Sequence, residues 1–318
     1  MVIIMNANVT SIFGATKPVF TSYGSADFDI GVAPLRYVDA NNNVQTSTKR
    51  VIYRTDNGAE LGVHGGRYVP VPPKKMIDAS RSIILQSDLD TTGIQETIRT
   101  SHNGSRTFVK YDLPNHTYTT PDGDTATLSL LATTSFDGTW AFMLSVAAVQ
   151  FACTNLQVFT RGEVAVYRSR HTQGLDIGKG SEIIMSSLDI MQNENELWSE
   201  YNKTYVTERQ AFDIFLHASG AIDTVLKQHI PILNATQVMN DLPRNNRALE
   251  YMVRAYNNIY KARMGNTLWA VYNVLTDWST HADVSDAAKR KGNVASVQHQ
   301  RQAKVREVAQ KCIMPLVA

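Results

Sequence analysis

Cys153, Asn155 and His171 are the residues whose types suit covalent chemistry. A thiol, an amide and an imidazole are the parts of an activated thiol nucleophile. No glycine-framed nucleophile or oxyanion-forming turn surrounds Cys153, so the residue types alone carry little weight. A small buried side chain is the simpler account of Cys153. The expectation is that the chain is not an enzyme, with a thiol-dependent reaction of Cys153 and His171 as the minor alternative. Metal chemistry is weaker still. The eight histidines are scattered, with no His-x-x-x-His or Cys-x-x-Cys pair, and zinc needs three or four ligands together. No cofactor is expected. Asp112, Asp122, Asp124 and Asp137 fall at expected turns, where Asp serves local hydrogen bonding, and they lack the clustering of a metal-dependent nuclease. Gly62-x-x-Gly65-Gly66 lies between two expected strands. It therefore lacks the helix N-terminus of a phosphate cradle.

Cations are the remaining chemistry. Arg161, Arg168, Arg170 and His171 form one cluster. Arg247, Arg254 and Lys261 recur every seventh residue, so they share a helix face with Tyr251 and Asn258. Lys289, Arg290, Lys291, Arg301, Lys304 and Arg306 form a third cluster. Cations beside an aromatic ring suit a single strand, because cations neutralise phosphates while rings stack on bases. Any one cluster reads as a solvated face. Three of them in a chain of net charge +2 point to a local polyanion site rather than a global field. Tyr256, Tyr260, Trp269 and Trp278 are expected in the core.

These residues need a scaffold, and the sequence outlines one. Its 318 residues allow one large domain or two modest ones. Two cysteines make no disulfide framework and fit a reducing compartment. The run from Trp140 to Cys153 is too short for a membrane span and is broken by Ser145 and Gln150. The start MVIIMNANVT lacks a basic n-region, so a soluble protein of the host cytoplasm is expected, with no membrane partner. Residues 1–48 read as a loosely structured arm with a strand near Val32 to Val38. Residues 49–178 read as an antiparallel sheet-rich core. Its expected strands are Arg50–Arg54, Glu60–Val63, Arg67–Val71, Arg106–Leu113, Thr125–Thr133, Trp140–Ala148 and Val164–Ser169. Asp56-Asn57-Gly58 and Asp137-Gly138 mark hairpin turns, Pro72-Pro73 ends a strand, and Met76 to Leu85 is a helix. From Gly180 the apolar period becomes helical. Residues 179–283 read as a helical region and 284–318 as a basic helical tail. Thr207-Glu208-Arg209-Gln210 is a capping box opening a helix that Gly220 closes. Helices are expected over Arg247–Arg263 and Leu268–Ser279. The fold class is α+β, an antiparallel sheet-rich N-terminal half with a helical C-terminal half.

Several short motifs resemble, in order, the family of phage and plasmid proteins called domain of unknown function 932. They are Leu61-Gly62-Val63 with Arg67-Tyr68-Val69-Pro70-Val71, then Phe136-Asp137-Gly138, Cys153-Thr154-Asn155 and Arg170-His171-Thr172. Asn266 to Asn273 with His281 resembles that family's closing helix. The set spans most of residues 50 to 282. His64 stands where an apolar residue is more usual, and Pro72-Pro73 replaces a more polar pair. The resemblance implies a mobile-element protein without an agreed activity.

The function expected is that of a phage-encoded protein binding single-stranded DNA without strong sequence preference. It would support phage replication, recombination or transcription, with the proteins of those processes as further partners. Repeating a weak site along a strand would favour a homo-oligomer. The alternative is a protein-interaction module that inhibits a host enzyme or defence system through the acidic stretch Met185 to Asp241.

Overall fold

Short alternating segments separated by Asn- and Gly-bearing turns build the first half as antiparallel sheet. The computed structural model describes residues 7–10, 16–150, 156–158, 166–171, 186–232, 234–242 and 246–317. β1 (Ala7–Thr10) and β2 (Thr16–Val19) pair with each other. β3 (Ile30–Val38), β4 (Val44–Arg54) and β5 (Glu60–Gly65) form a three-stranded sheet in that order. The β3–β4 turn rests on Asn42 at φ 65° and on the Asp39 carboxylate, which accepts the Asn41 and Asn43 amides at 2.9 Å each.

The larger sheet holds β6 (Gln95–Ser101), β7 (Arg106–Thr119), β8 (Thr125–Ser135), β9 (Phe142–Gln150), β10 (Leu156–Val158) and β11 (Val166–Ser169). The order is β10-β9-β8-β7-β6, and every pairing is antiparallel. β11 shares the outer edge of β9 with β10, placing Ser169 opposite Phe142 and Leu156 opposite Val149. β8 is the centre. Every residue from Ala126 to Ser135 is buried, so both faces are covered. Ala126, Leu128, Leu130 and Ala132 enter the main core, while Leu131 packs with Ala147 on the other face.

α1 (Pro73–Gln86) lies against β8 through a stripe that includes Met76, Ile77 and Ile84. The expected strand Arg67–Val71 does not form. Its backbone bonds run from the Val69 amide to the His171 carbonyl at 3.0 Å and from the Tyr68 amide back to the Gly65 carbonyl at 3.1 Å, which is no ladder. The prolines therefore do not end a strand. Pro73 opens α1 at the first helical position, where the lost N–H has no helical partner to lose.

The second half is helical: α2 (Ser187–Lys203), α3 (Glu208–Ser219), α4 (Ile222–Lys227), α5 (Ala235–Asp241) and α6 (Arg247–Ala255). A π-helical turn over Tyr256–Tyr260 leads into α7 (Lys261–Met264). Then come α8 (Leu268–His281), α9 (Asp286–Arg290) and α10 (Val294–Val308). The capping box at Thr207 forms, and Gly220 ends α3 at φ 72°. α8 is buried at every position from Leu268 to Ser279. A helix covered all round sits inside the molecule, and here β10, α2, α6 and α10 surround it. Trp198, Tyr201, Trp269 and Tyr272 pack as a ring cluster with centroids 5.3–6.2 Å apart. The segment expected as a basic tail is part of this core. Val305 in α10, and Ala309 and Ile313 in the π-helical segment Ala309–Ile313 that follows it, are fully buried, because both elements pack on α8. Among the described residues, no helix is long and apolar enough to cross a membrane.

Sheet and helices are bonded at the β7–β8 turn. Asp122 accepts the Trp269 indole at 2.9 Å and the Arg263 guanidinium at 2.7 Å. Its side chain is 6% exposed. Asp122→Ala would leave the buried Trp269 indole donor without its acceptor, while Arg263 is partly exposed and keeps Asp124 at 3.9 Å. It should lower unfolding stability by about 2 kcal/mol. A urea midpoint within error of the parent would contradict this.

Candidate nucleic-acid interface

The face of α6 is set by its cap and its core side. Asn246 caps the helix, accepting the Leu249 amide at 3.1 Å, and donates to the Ser219 carbonyl at 3.2 Å. Leu249, Met252 and Ala255 turn inward. Arg247 and Arg254 are left on the solvent side, exposed and without an ion pair among the described residues.

Tyr251 does not match its expected role as a stacking ring. It is half-buried, donates to Asp277 at 3.1 Å and lies under the Arg254 guanidinium at 5.9 Å. Burial, then the Asp277 charge, raises its pKa. Arg301 also differs from expectation. It donates to the Ala282 and Asp283 carbonyls at 2.6 and 2.9 Å, closing the C-terminus of α8. Arg306 is mostly enclosed. Burial lowers its pKa against the opposing pull of Tyr272 and Glu194. Lys261 reaches Glu208 at 2.5 Å, and Lys304 reaches Glu307 at 3.2 Å. Lys289 holds Asp283 at 3.4 Å. Arg290 and Lys291 are exposed without an ion pair among the described residues.

Two of the three basic clusters adjoin. Arg254 and Arg301 both act on the Tyr251 hydroxyl. Arg301 and Lys289 both hold Asp283, one by its carbonyl and one by its carboxylate. Arg301 therefore lies between Arg254 of α6 and Lys289 of α9. Arg168 and Arg170 are exposed at β11, and no described contact joins them to these residues. Arg161 lies outside the described residues.

His171 is structural. It is 6% exposed, and its Nε2 faces the Thr134 hydroxyl at 3.3 Å. Tyr68 stacks between His64 and His171, with centroids at 3.8 and 5.1 Å. Its hydroxyl donates to the Ser135 carbonyl at 2.7 Å. His64 Nε2 bonds the Phe136 carbonyl. That carbonyl also packs on Gly62, where a Cβ would overlap it. Asp137 receives Arg106 Nε at 2.5 Å. Arg106 also donates to Ser296 at the start of α10, and Trp140 meets His299 at 4.3 Å. So Leu61-Gly62-Val63, Tyr68-Val69, Phe136-Asp137-Gly138 and Arg170-His171 meet at one end of β8. They form a packed joint between the two sheets. Cys153 and Asn155 lie outside the described residues. Their described neighbours Gln150 and Leu156 sit at the other end of β9 from Ser169, about 25 Å away at strand spacing.

One feature had no sequence expectation. An open pocket of about 140 Å³ lies between α3, the segment before α5 and the π-helical turn. Phe212, Phe215 and Tyr256 line its base, and Asn234, Asn257 and Arg209 stand around it. The extra residue in the π turn places Tyr256 and Asn257 there, and α-helical periodicity carries no signal for it.

Burial pushes His171 down to about 4 and His299 down to about 4. Their ordinary value is 6.5. Between these limits the unfolded chain binds protons that the folded chain refuses. Stability is therefore full above pH 6.5 and is lost as pH falls towards 4. For His171 the loss is at most about 3 kcal/mol. His171→Gln should flatten the curve of urea midpoint against pH across this window. An unchanged slope would contradict the assignment.

No curated protein and no solved structure matches the chain. Residues 60–308 match the family described as Domain of unknown function (DUF932). That match covers well over half of the chain and contains both the joint at the end of β8 and the α6 face. By this match the protein belongs to the domain of unknown function 932 family.

Proposed function

We propose that the protein binds single-stranded nucleic acid without strong sequence preference, through the exposed cations of α6 and α9 and Lys291 just after α9. One observation carries the reading. Arg247, Arg254, Arg290 and Lys291 remain exposed without ion pairs among the described residues, while their neighbours Lys261, Lys289 and Lys304 are paired with carboxylates. Glu250 on α6 and Asp286 on α9 lie one turn away but form no ion pair with Arg247, Arg254, Arg290 or Lys291, and exposed cations left unpaired attract phosphates and release their counterions on contact. Arg168 and Arg170 add charge elsewhere on the surface. A mobile-element protein of this kind would serve replication, recombination or transcription of its element in the host cytoplasm. It would gain avidity as a homo-oligomer along a strand.

The test is anisotropy of a labelled single-stranded oligonucleotide across a salt series. Binding should be tight at low salt, with log affinity falling by roughly 0.7 per neutralised phosphate for each decade of salt. Arg247→Glu with Arg254→Glu should weaken it by about tenfold or more and flatten the slope. Charge changes in α2 should leave it unchanged. No binding at low salt, or an intact affinity in the α6 variant, would overturn the reading.

A further inference from the structure

We propose that the pocket beside the π-helical turn receives one base of the bound strand. This inference rests on the nucleic-acid reading and gives it a specific contact. Size is the first argument. A volume of about 140 Å³ is comparable to the roughly 150 Å³ cavity that accepts benzene, so it suits one planar ring. The lining is the second. Phe215 and Tyr256 meet edge to face at 5.6 Å, and Phe212 lies beside them; all three are buried, so their edges form an apolar wall for a base. The amides of Asn234 and Asn257 can each donate and accept, which is the pattern a base edge needs. Asn234 already accepts the Gln237 amide at 2.8 Å through its Oδ1, so its NH₂ is the group left to donate.

The third argument is charge. Arg209 borders the pocket. Lys261 joins it through Glu208, the one carboxylate of the lining. Val253, Tyr256 and Asn257 reach the pocket from the same helical segment that carries Arg254. A strand with its phosphates along Arg247 and Arg254 would pass the mouth of the pocket and could turn one base into it. Apolar contact of this sort tolerates any base, in keeping with weak sequence preference.

The full chain is tested by anisotropy against two labelled oligonucleotides of equal length, one of thymidines and one of abasic sites. The parent should bind the thymidine strand about tenfold tighter than the abasic strand. Ala235→Phe fills the pocket from its partly exposed wall without removing a core side chain. It should abolish that difference while leaving the abasic affinity unchanged, which also shows that the variant is folded. Asn257→Ala, at an exposed position, should reduce the difference by a smaller factor. Equal binding of both strands by the parent would overturn the pocket assignment and leave the nucleic-acid reading standing. Full base preference in Ala235→Phe would overturn it too, and would assign the pocket to another occupant such as an aromatic side chain of a protein. Failure to bind either strand at low salt would overturn both.

Discussion

The approach of the Phe136 carbonyl to Gly62 is the constraint on which the rest of the structure depends. Only a residue without a Cβ lets the end of β8 sit against β5. Once there, the carbonyl takes His64, and Tyr68 takes the neighbouring carbonyl of Ser135. Ser105 completes the contact by donating to the Leu61 carbonyl at 2.7 Å. The same corner holds Asp137 and Arg106, and Arg106 reaches the start of α10. The position of α10 on α8 is thus referred to the joint between the sheets. α6 packs on the same α8, so the exposed cations of α6 and α9 inherit their placement from that corner.

Electrostatics divides the basic residues into two populations. One is engaged in holding the fold. Arg81 pairs with Glu96 at 2.7 Å, Arg106 pairs with Asp137, and Arg301 closes a helix end. A guanidinium suits such places because its planar fork bonds several acceptors at once. The other population, Arg247, Arg254, Arg290 and Lys291, lies on the surface without an ion pair among the described residues. A net charge of +2 conceals this division, because it sums both populations with the acids that neutralise the first.

Much of the fold was legible in the sequence. β4, β5, β7, β8 and β9 follow alternation and turn chemistry, and the capping box at Thr207 and the stop at Gly220 form as read. The strand β6 was missed because QETIRTS offers only Ile98 to the core, too little for a period to register. α4 and α5 were missed because six and seven residues are too few to show a helical period. Arg67–Val71 has strand propensity but no neighbour to complete a ladder. The candidate site was less legible. Seven-residue spacing placed Arg247 and Arg254 on one exposed face correctly. Spacing could not reveal that Tyr251 would bond Asp277, that Arg301 would cap α8, or that His171 would be enclosed. Those outcomes depend on partners distant in sequence, from 18 residues for Arg301 and Asp283 to about 100 for His171 and Tyr68. The described motifs at Leu61-Gly62-Val63, Tyr68-Val69, Phe136-Asp137-Gly138 and Arg170-His171 proved to meet at the joint between the sheets. Their separation in sequence hid their meeting in space.

The central claim is that a nucleic-acid strand lies along α6 and α9. Hydrogen exchange of the full chain, with and without a single-stranded oligonucleotide at low salt, tests it most directly. The account predicts added protection in α6, the π-helical turn and α9, with α1 and the large sheet unchanged. Protection confined to α2 or to the β3–β4 hairpin, or no change at all with the strand bound, would contradict it.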